Sequence, residues 1–438
     1  MDKVNALLQE ARDFVLIGSK YGFANPQSMS KGTYEGKYAN VNGVRTIDLT
    51  RLDYLSLGQS QEVREIMQRC IRDNNISCPT SRMALRSESD EKLEEALADL
   101  HGMQDSITFL SGYCVNENII QALALRMRSP HLIPYVHGTG MGHSVKDVPT
   151  EFFVDEETHY SVTHMIKLAR LRAKESCIYH RYPSADYGRL VAQLDQSKKT
   201  RRDSIRIIVS DTISSMSGRV FDVHALCELA EMYDCYVYLD EAHAIGTFGN
   251  GGCGIASDMP DFFRFRNRLM IMGTLTKAIA QLGGYVAITD KSLSCFLRAC
   301  SPQYIFSAPV PPWMAESLVQ IIDLVKGEYG DMERKKMHKV AAYMRESFQE
   351  AGFNILSSKS QIISVLVGEE DKAIRTKMAL EASGFTAALF MNPAVPKGQA
   401  VIRFSLCSDI TCEEVDQVVR LLKKAREKIG FGRGSEAA

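Results

Sequence analysis

Apolar and polar positions along this chain switch repeatedly between two periods. Five stretches, near 61–73, 90–101, 116–128, 160–173 and 222–233, repeat their apolar residues at helical spacing. Ile205–Ser210, Cys235–Leu239, Leu269–Met272 and Tyr285–Ile288 are instead short apolar runs, the pattern of buried strands. The succession from Ile205 to Leu239 predicts a βαβ unit, and such units build parallel sheets whose ligands sit beyond the carboxyl ends of the strands. After Pro309–Pro312 a long helical region leads to a second alternation. It predicts a helix over 334–350, a strand at Ile362–Val367, a helix over 371–383, a strand at Val401–Leu406 and a helix over 411–428. At the other end, Val4, Leu7, Leu8, Ala11, Phe14 and Val15 predict an amphipathic helix within 2–20. Residues 33–60 read as short strands and turns, including Thr46–Leu49 and Asp53–Leu55. The organisation expected is an α/β chain with an N-terminal arm (1–60), a large domain (61–320) and a small C-terminal α/β domain (321–438). The tail from Gly432 reads as frayed.

Chemistry gathers at the predicted strand ends. Leu269–Met272 runs into Gly273-Thr274-Leu275-Thr276-Lys277-Ala278, which places a lysine among small and hydroxyl residues at the mouth of a buried strand. Desolvation there favours the neutral amine, the form that adds to an aldehyde. Tyr236–Leu239 runs into Asp240-Glu241-Ala242-His243, and Ile205–Ser210 ends at Asp211. A lysine on an aldehyde and an acid beside a pyridinium nitrogen are the two groups that make pyridoxal phosphate (PLP) an electron sink.

Composition narrows the setting. Apolar residues make up 45% of the 438 and charged residues 24%, with a formal net charge of −1, so no electrostatic case arises for nucleic acid or an anionic membrane. Eleven scattered cysteines lack metal-like spacing and suit reduced thiols in a cytoplasm, and no metal is expected. No run of 18 apolar residues and no apolar leader is present, so no membrane span is expected.

The same segments, taken in order, carry a resemblance. They are Asp53-Tyr54-Leu55, Ser111-Gly112-Tyr113 with Asn116, His159-Tyr160-Ser161, and Asp211 through Ser215-Met216-Ser217-Gly218. Asp240-Glu241-Ala242-His243 with Gly246, the Lys277 segment, Phe306-Ser307 before Pro311-Pro312, and Pro396 through Arg403-Phe404-Ser405-Leu406 complete the set. From about Val41 to Leu422 the chain resembles the α-oxoamine synthases of the fold-type-I PLP enzymes. The resemblance implies a large domain with a mainly parallel sheet flanked by helices, plus a smaller C-terminal α/β domain. It implies a PLP-dependent acyltransferase that condenses an amino acid with an acyl thioester, on coenzyme A or a carrier protein, and releases CO2 to leave an α-amino ketone.

Residue by residue, Lys277 resembles the lysine that carries the cofactor and deprotonates Cα. Asp240 would pair with the pyridine nitrogen, and His243 with the phenolic oxygen or the acyl group. His159 would stack on the ring. Gly112 and Tyr113, opening a helix, and Thr274 would hold the phosphate. Ser215 would lie near the phenolic oxygen. Ser307 resembles a residue that reaches the phosphate of the neighbouring subunit, which implies a homodimer with shared active sites. Arg403 resembles the carboxylate clamp, a job its planar fork suits. Ser81 and Met83 fall on the substrate side.

The chain also departs from the family pattern. Leu52 stands where an asparagine is usual, and Ser77-Cys78-Pro79-Thr80 replaces a glycine-rich turn. Asp90 replaces a histidine. The stretch from about 128 to 155, with Tyr135 to His143, is longer than usual and reads as a surface loop. Met83 stands where succinyl-specific enzymes carry a polar residue, which points to a neutral, mainly apolar acyl group, unless Arg82 or Arg86 serves an acidic one. The rival readings are another PLP carbanion enzyme, namely an aldolase-like C–C lyase, an aminotransferase or a coupling without thioester. A partner subunit lacking the cofactor is the other rival, but such subunits lose the lysine that Lys277 supplies.

Overall fold

The computed structural model describes residues 3–21, 34–41, 43–78, 80–126 and 148–431. Pro79, the Tyr135–His143 run and the tail from 432 lie outside them. A helix over Lys3–Tyr21 is followed by β1 (Tyr34–Glu35), β2 (Tyr38–Val41) and β3 (Val44–Asp48). Then come β4 (Asp105–Phe109), β5 (Thr150–Asp155), β6 (Cys177–Tyr182), β7 (Ile205–Asp211), β8 (Cys235–Asp240), β9 (Leu269–Thr274) and β10 (Gly284–Ile288). These seven form one sheet in the order β4-β10-β9-β8-β7-β5-β6, in which only β10 runs antiparallel to its neighbours.

Alternation of side chains across this sheet explains why it is covered on both faces. Ile208, Val237, Leu239 and Ile271 point to one core, shared with Leu93, Leu226 and Leu318 from helices. Ile207, Val209, Tyr238 and Met270 point to the other, shared with Val115, Ile119 and Ile166. The strand runs are therefore continuously apolar, as expected of a doubly covered sheet. The predicted βαβ unit is present, with the helix Val223–Tyr233 joining β7 to its parallel neighbour β8.

β4, β5 and β6 were not evident from hydrophobicity. In β4 the buried polar residues are satisfied by a helix: Ser106 Oγ donates to the Glu94 carbonyl at 2.7 Å and Thr108 N to Glu94 Oε1 at 2.8 Å. In β5 Glu151 is fully buried against His180 Nε2 at 2.8 Å and Ser197 Oγ at 2.6 Å. Buried polar groups so paired are tolerated in a core but break the apolar signature.

The C-terminal strands are β11 (Ile362–Gly368), β12 (Phe385–Thr386), β13 (Ala388–Phe390) and β14 (Ala400–Ser405), with β11-β14-β13 forming an antiparallel sheet. The strands near the N-terminus do not stand apart. β3 pairs in parallel with β12, Ile47 opposite Phe385, and Leu49 is buried in the core built by Phe348, Ile363, Phe404 and Leu422. Asp53–Leu55 is turn rather than strand.

The C-terminal sheet is fastened to the loop after β7. Arg403 Nη1 donates to the Ser215 carbonyl at 2.8 Å, Ser360 Oγ to the Gly218 carbonyl at 3.0 Å and Ser364 Oγ to the Met216 carbonyl at 2.5 Å. Gly218 has φ +68°, and a Cβ there would stand 1.9 Å from the Ile362 carbonyl oxygen. Only glycine fits that position.

Candidate active site

The carboxyl ends of β7, β8 and β9 deliver Asp211, Asp240 and the Lys277 turn to one cavity of about 230 Å³. Its far wall is the first turn of the helix Gly112–Leu125, with Ser111 as N-cap. Ser111 Oγ accepts from Cys114 N at 3.2 Å. Gly112 packs so closely on β9 that a Cβ would stand 2.8 Å from Met272 Cε and 3.2 Å from Thr274 Cβ. The bare backbone at a helix N-terminus, beside the hydroxyls of Thr274 and Thr276 at 2.8 Å from each other, is a cradle for an anion.

Lys277 lines the same cavity. Burial pulls its amine down to about 8 from the usual 10.5, with Asp240 and Asp211 opposing that shift. Its Nζ is 2.9 Å from His243 Nε2, and His243 Nδ1 is 2.7 Å from the hydroxyl of fully buried Tyr54. Burial, then the neighbouring Lys277 and Arg403, holds the His243 imidazole well below its usual range, so the ring is neutral.

Asp240 is fixed by its surroundings. Oδ1 accepts from Ala242 N at 3.0 Å and Oδ2 from Asn116 Nδ2 at 3.1 Å. Asn116 also donates to Ser161 Oγ at 2.9 Å and accepts from Tyr238 Oη at 2.6 Å. Ser161 Oγ lies 2.7 Å from His159 Nδ1, and the backbone N of His159 donates to Asp211 Oδ1 at 3.2 Å. Burial, then the charge of Asp240, pushes the Asp211 carboxyl well above the carboxylate range.

Lys277, Asp240, His243, His159, Gly112, Tyr113 and Thr274 all line this one cavity. The other sequence-nominated residues lie outside it. Arg403 stands close enough to depress the His243 imidazole and the Lys277 amine, and its guanidinium lies 4.8 Å from the Phe390 ring centre. Its Nε is buried without a hydrogen-bond partner among the described residues. Ser215 offers Arg403 its carbonyl. Among the described residues Ser307 reaches only the Ala308 carbonyl, at 3.5 Å, and Ser81 Oγ donates to the Ile305 carbonyl at 2.5 Å. Met83 is 61% exposed. Arg82 is tied to Thr108 and to Asp90 and Glu94, and Arg86 pairs with Asp90, Glu91 and Glu94.

Tyr54, Asn116 and Ser161 stand in the sequence only as parts of signatures. Their contacts join segments 189, 124 and 45 residues apart in sequence, so no local pattern discloses them. Among the described residues, no cluster of histidine, cysteine or acidic side chains could hold a metal ion.

A planar ligand with an anionic end, an aldehyde and a basic ring nitrogen fits this donor set. The anion matches the Gly112 turn and Thr274, the aldehyde the partly desolvated amine, and the ring nitrogen the fixed acid.

Comparison with known proteins agrees with the geometry. Residues 44–422 match the sequence model of the family described as aminotransferase class I and II. The chain is 29% identical over 336 residues to 8-amino-7-oxononanoate synthase of Herminiimonas arsenicoxydans, covering 77% of this chain and 78% of that one. It is 27% identical over 399 residues to 8-amino-7-oxononanoate synthase 1 of Bacillus velezensis, covering 91% and 92%. Sphingomonas wittichii serine palmitoyltransferase shares the fold with a TM-score of 0.81 at 20% identity, over 98% of each chain. The 8-amino-7-oxononanoate synthase of Francisella tularensis does so with a TM-score of 0.67 at 20% identity, over 87% of this chain and 98% of that one.

Proposed function

This chain belongs to the aminotransferase class I and II family, and we propose that within it the protein is a PLP-dependent acyltransferase of the α-oxoamine synthase type. It condenses an amino acid with an acyl thioester and releases the carboxylate as CO2, giving an α-amino ketone. The observation that carries this reading is one cavity holding the partly desolvated Lys277 amine, the fixed Asp240 and the glycine-lined helix N-terminus. The 8-amino-7-oxononanoate synthases among its relatives support the acyl-transfer chemistry.

Gly112, Tyr113, Thr274 and Thr276 would hold the phosphate, Asp240 the ring nitrogen, Lys277 the aldehyde carbon and His159 a ring face. When bound, PLP supplies a sink for the electron pair left on the amino acid's Cα. Lys277, whose amine burial pulls down to about 8, accepts the Cα proton. Arg403 has an unpartnered Nε and holds the amino acid's carboxylate. His243 is neutral and placed beside the lysine, where it orients that amine by hydrogen bond. Asn116 keeps Asp240 aimed.

Arg82 and Arg86 are paired with Asp90 and Glu94, which weighs against either of them holding a second carboxylate on the acyl group. A neutral, mainly apolar acyl chain follows. We also propose a homodimer. Tyr113 and Tyr160 adjoin the cavity and are 43% and 65% exposed, and Phe306 beside Ser307 is 73% exposed, an apolar rim that a second copy would cover. Eleven free cysteines, and no helix of the described residues long and apolar enough to cross a membrane, support a cytoplasmic setting.

The test mixes purified enzyme with glycine, alanine or serine and with succinyl-CoA or a medium-chain acyl-CoA. Thiol release and amino ketone by mass spectrometry, greater with the medium chain, are expected. Conversion of the amino acid to its keto acid without thiol release would identify an aminotransferase and overturn the reading.

A further inference from the structure

We propose that Tyr54 is a positioning residue that couples the proton on Lys277 to the tautomer of His243. This rests on the reading above that Lys277 is the reactive amine. Tyr54 is fully buried in the turn that follows the Leu49–Asp53 segment, far in sequence from the residues it serves. Its hydroxyl is 2.7 Å from His243 Nδ1, with the two rings tilted by 48°, and His243 Nε2 is 2.9 Å from Lys277 Nζ. The His243 carbonyl is itself pinned by Gln361 Nε2 at 2.8 Å and Thr247 Oγ1 at 2.9 Å, so the backbone carrying the ring is held in place.

A neutral imidazole with both nitrogens so engaged has only two hydrogen-bond registers. In the first, the lysine ammonium donates to Nε2, and Nδ1–H donates to the Tyr54 oxygen. In the second, Nε2–H donates to the free amine, and the Tyr54 O–H donates to Nδ1. Tyrosine serves both because a hydroxyl both donates and accepts, and burial pushes this phenol's acidity out of reach, so it keeps its proton. The other titratable groups facing this trio are Arg403, Cys407, His159 and the Asp211–Asp240 pair, and Tyr54→Phe leaves every one of these side chains in place.

Phenylalanine at position 54 strands Nδ1. A buried N–H without an acceptor is rarer in proteins than a bare acceptor, so the register with Nδ1–H is penalised and Nε2–H prevails. Nε2–H faces the ammonium donor to donor, and Lys277 loses its proton more readily.

The measurement is trace acetylation of the full-length, cofactor-free protein across neutral to alkaline pH, with the Lys277 peptide quantified by mass spectrometry. We expect the midpoint in Tyr54→Phe to fall by about one pH unit, a tenfold change in proton affinity. In a His243→Gln background, Tyr54→Phe adds no further shift. Equal midpoints in wild type and Tyr54→Phe, or the same shift in both backgrounds, would overturn the proposal. Wild-type protein carrying isotope-labelled histidine gives a second test that needs no variant. His243 should change tautomer over the pH range in which Lys277 titrates, and a single tautomer throughout would also overturn it. Neither readout involves cofactor or reaction, so a protein that binds no PLP fails the functional reading without deciding this one.

Discussion

Asp240→Asn removes one charge and reverses the sense of one hydrogen bond, and the structure sets the size of each effect. The new Asn Oδ1 can still accept from Ala242 N, but its amide nitrogen then faces Asn116 Nδ2, donor to donor. Flipping Asn116 relieves that conflict only by taking the acceptor away from buried Tyr238 Oη. One buried polar group is stranded either way, at about 1–3 kcal/mol. Asp240 is also the first of the two acids that hold the Lys277 amine up against desolvation, Asp211 being the other, so its replacement weakens that support. A single close charge shifts a pKa by about one unit, or ~1.4 kcal/mol. Loss of a preorganised charge from a reacting centre costs about 10²–10³ in rate. The assay is exchange of the glycine Cα proton for solvent deuterium, followed by NMR without acyl donor, beside denaturant unfolding. We expect retained cofactor, exchange slowed at least a hundredfold and a modest stability loss. Exchange within a few-fold of wild type would refute the reasoning.

Arg403→Lys keeps the charge but not the fork, so KM for the amino acid should rise about tenfold or more while kcat changes less; an unchanged KM would remove Arg403 from the carboxylate site. Gly218→Ala puts a Cβ 1.9 Å from the Ile362 carbonyl oxygen at φ +68°, and should lose about 3 kcal/mol or more in denaturant unfolding; a loss under about 1 kcal/mol would mean the joint yields easily. His101 is buried between Tyr285 Oη and Ser257 Oγ, and burial lowers it from 6.5 to about 3. Between those values the unfolded chain binds a proton that the folded one does not. Stability therefore falls as pH drops from 6.5 toward 3, by at most about 1.4 kcal/mol per unit. His101→Gln should flatten that slope in thermal melts at several pH values, and an unchanged slope would assign the acid sensitivity elsewhere.

Much of this architecture was legible because period and chemistry coincided. The strands ending at Asp211, Asp240 and Thr274 are apolar on both faces and are followed directly by the groups they present. Strands such as β5 and β6 were hidden by Glu151 and His180, whose polarity is cancelled only by partners in the fold. Lys277, Asp240, His243, His159 and Gly112 stood out in sequence and meet in one cavity. Tyr54 and Asn116 belong to signatures legible in sequence, but their roles lie in contacts between distant segments that only the fold supplies. Nor could sequence show that Arg82 and Arg86 are occupied, since Glu94 and Asp90 become their partners only once a helix and a turn pack together.

We propose that Lys277 carries the cofactor on which an amino acid and an acyl thioester are joined. Borohydride reduction of the purified protein, followed by peptide mapping in a mass spectrometer, tests it directly. We expect the reduced cofactor on the Lys277 peptide, and in Lys277→Ala neither that adduct nor thiol release with any amino acid and acyl-CoA. An adduct on another lysine, or a Lys277→Ala variant that still releases thiol, would contradict it.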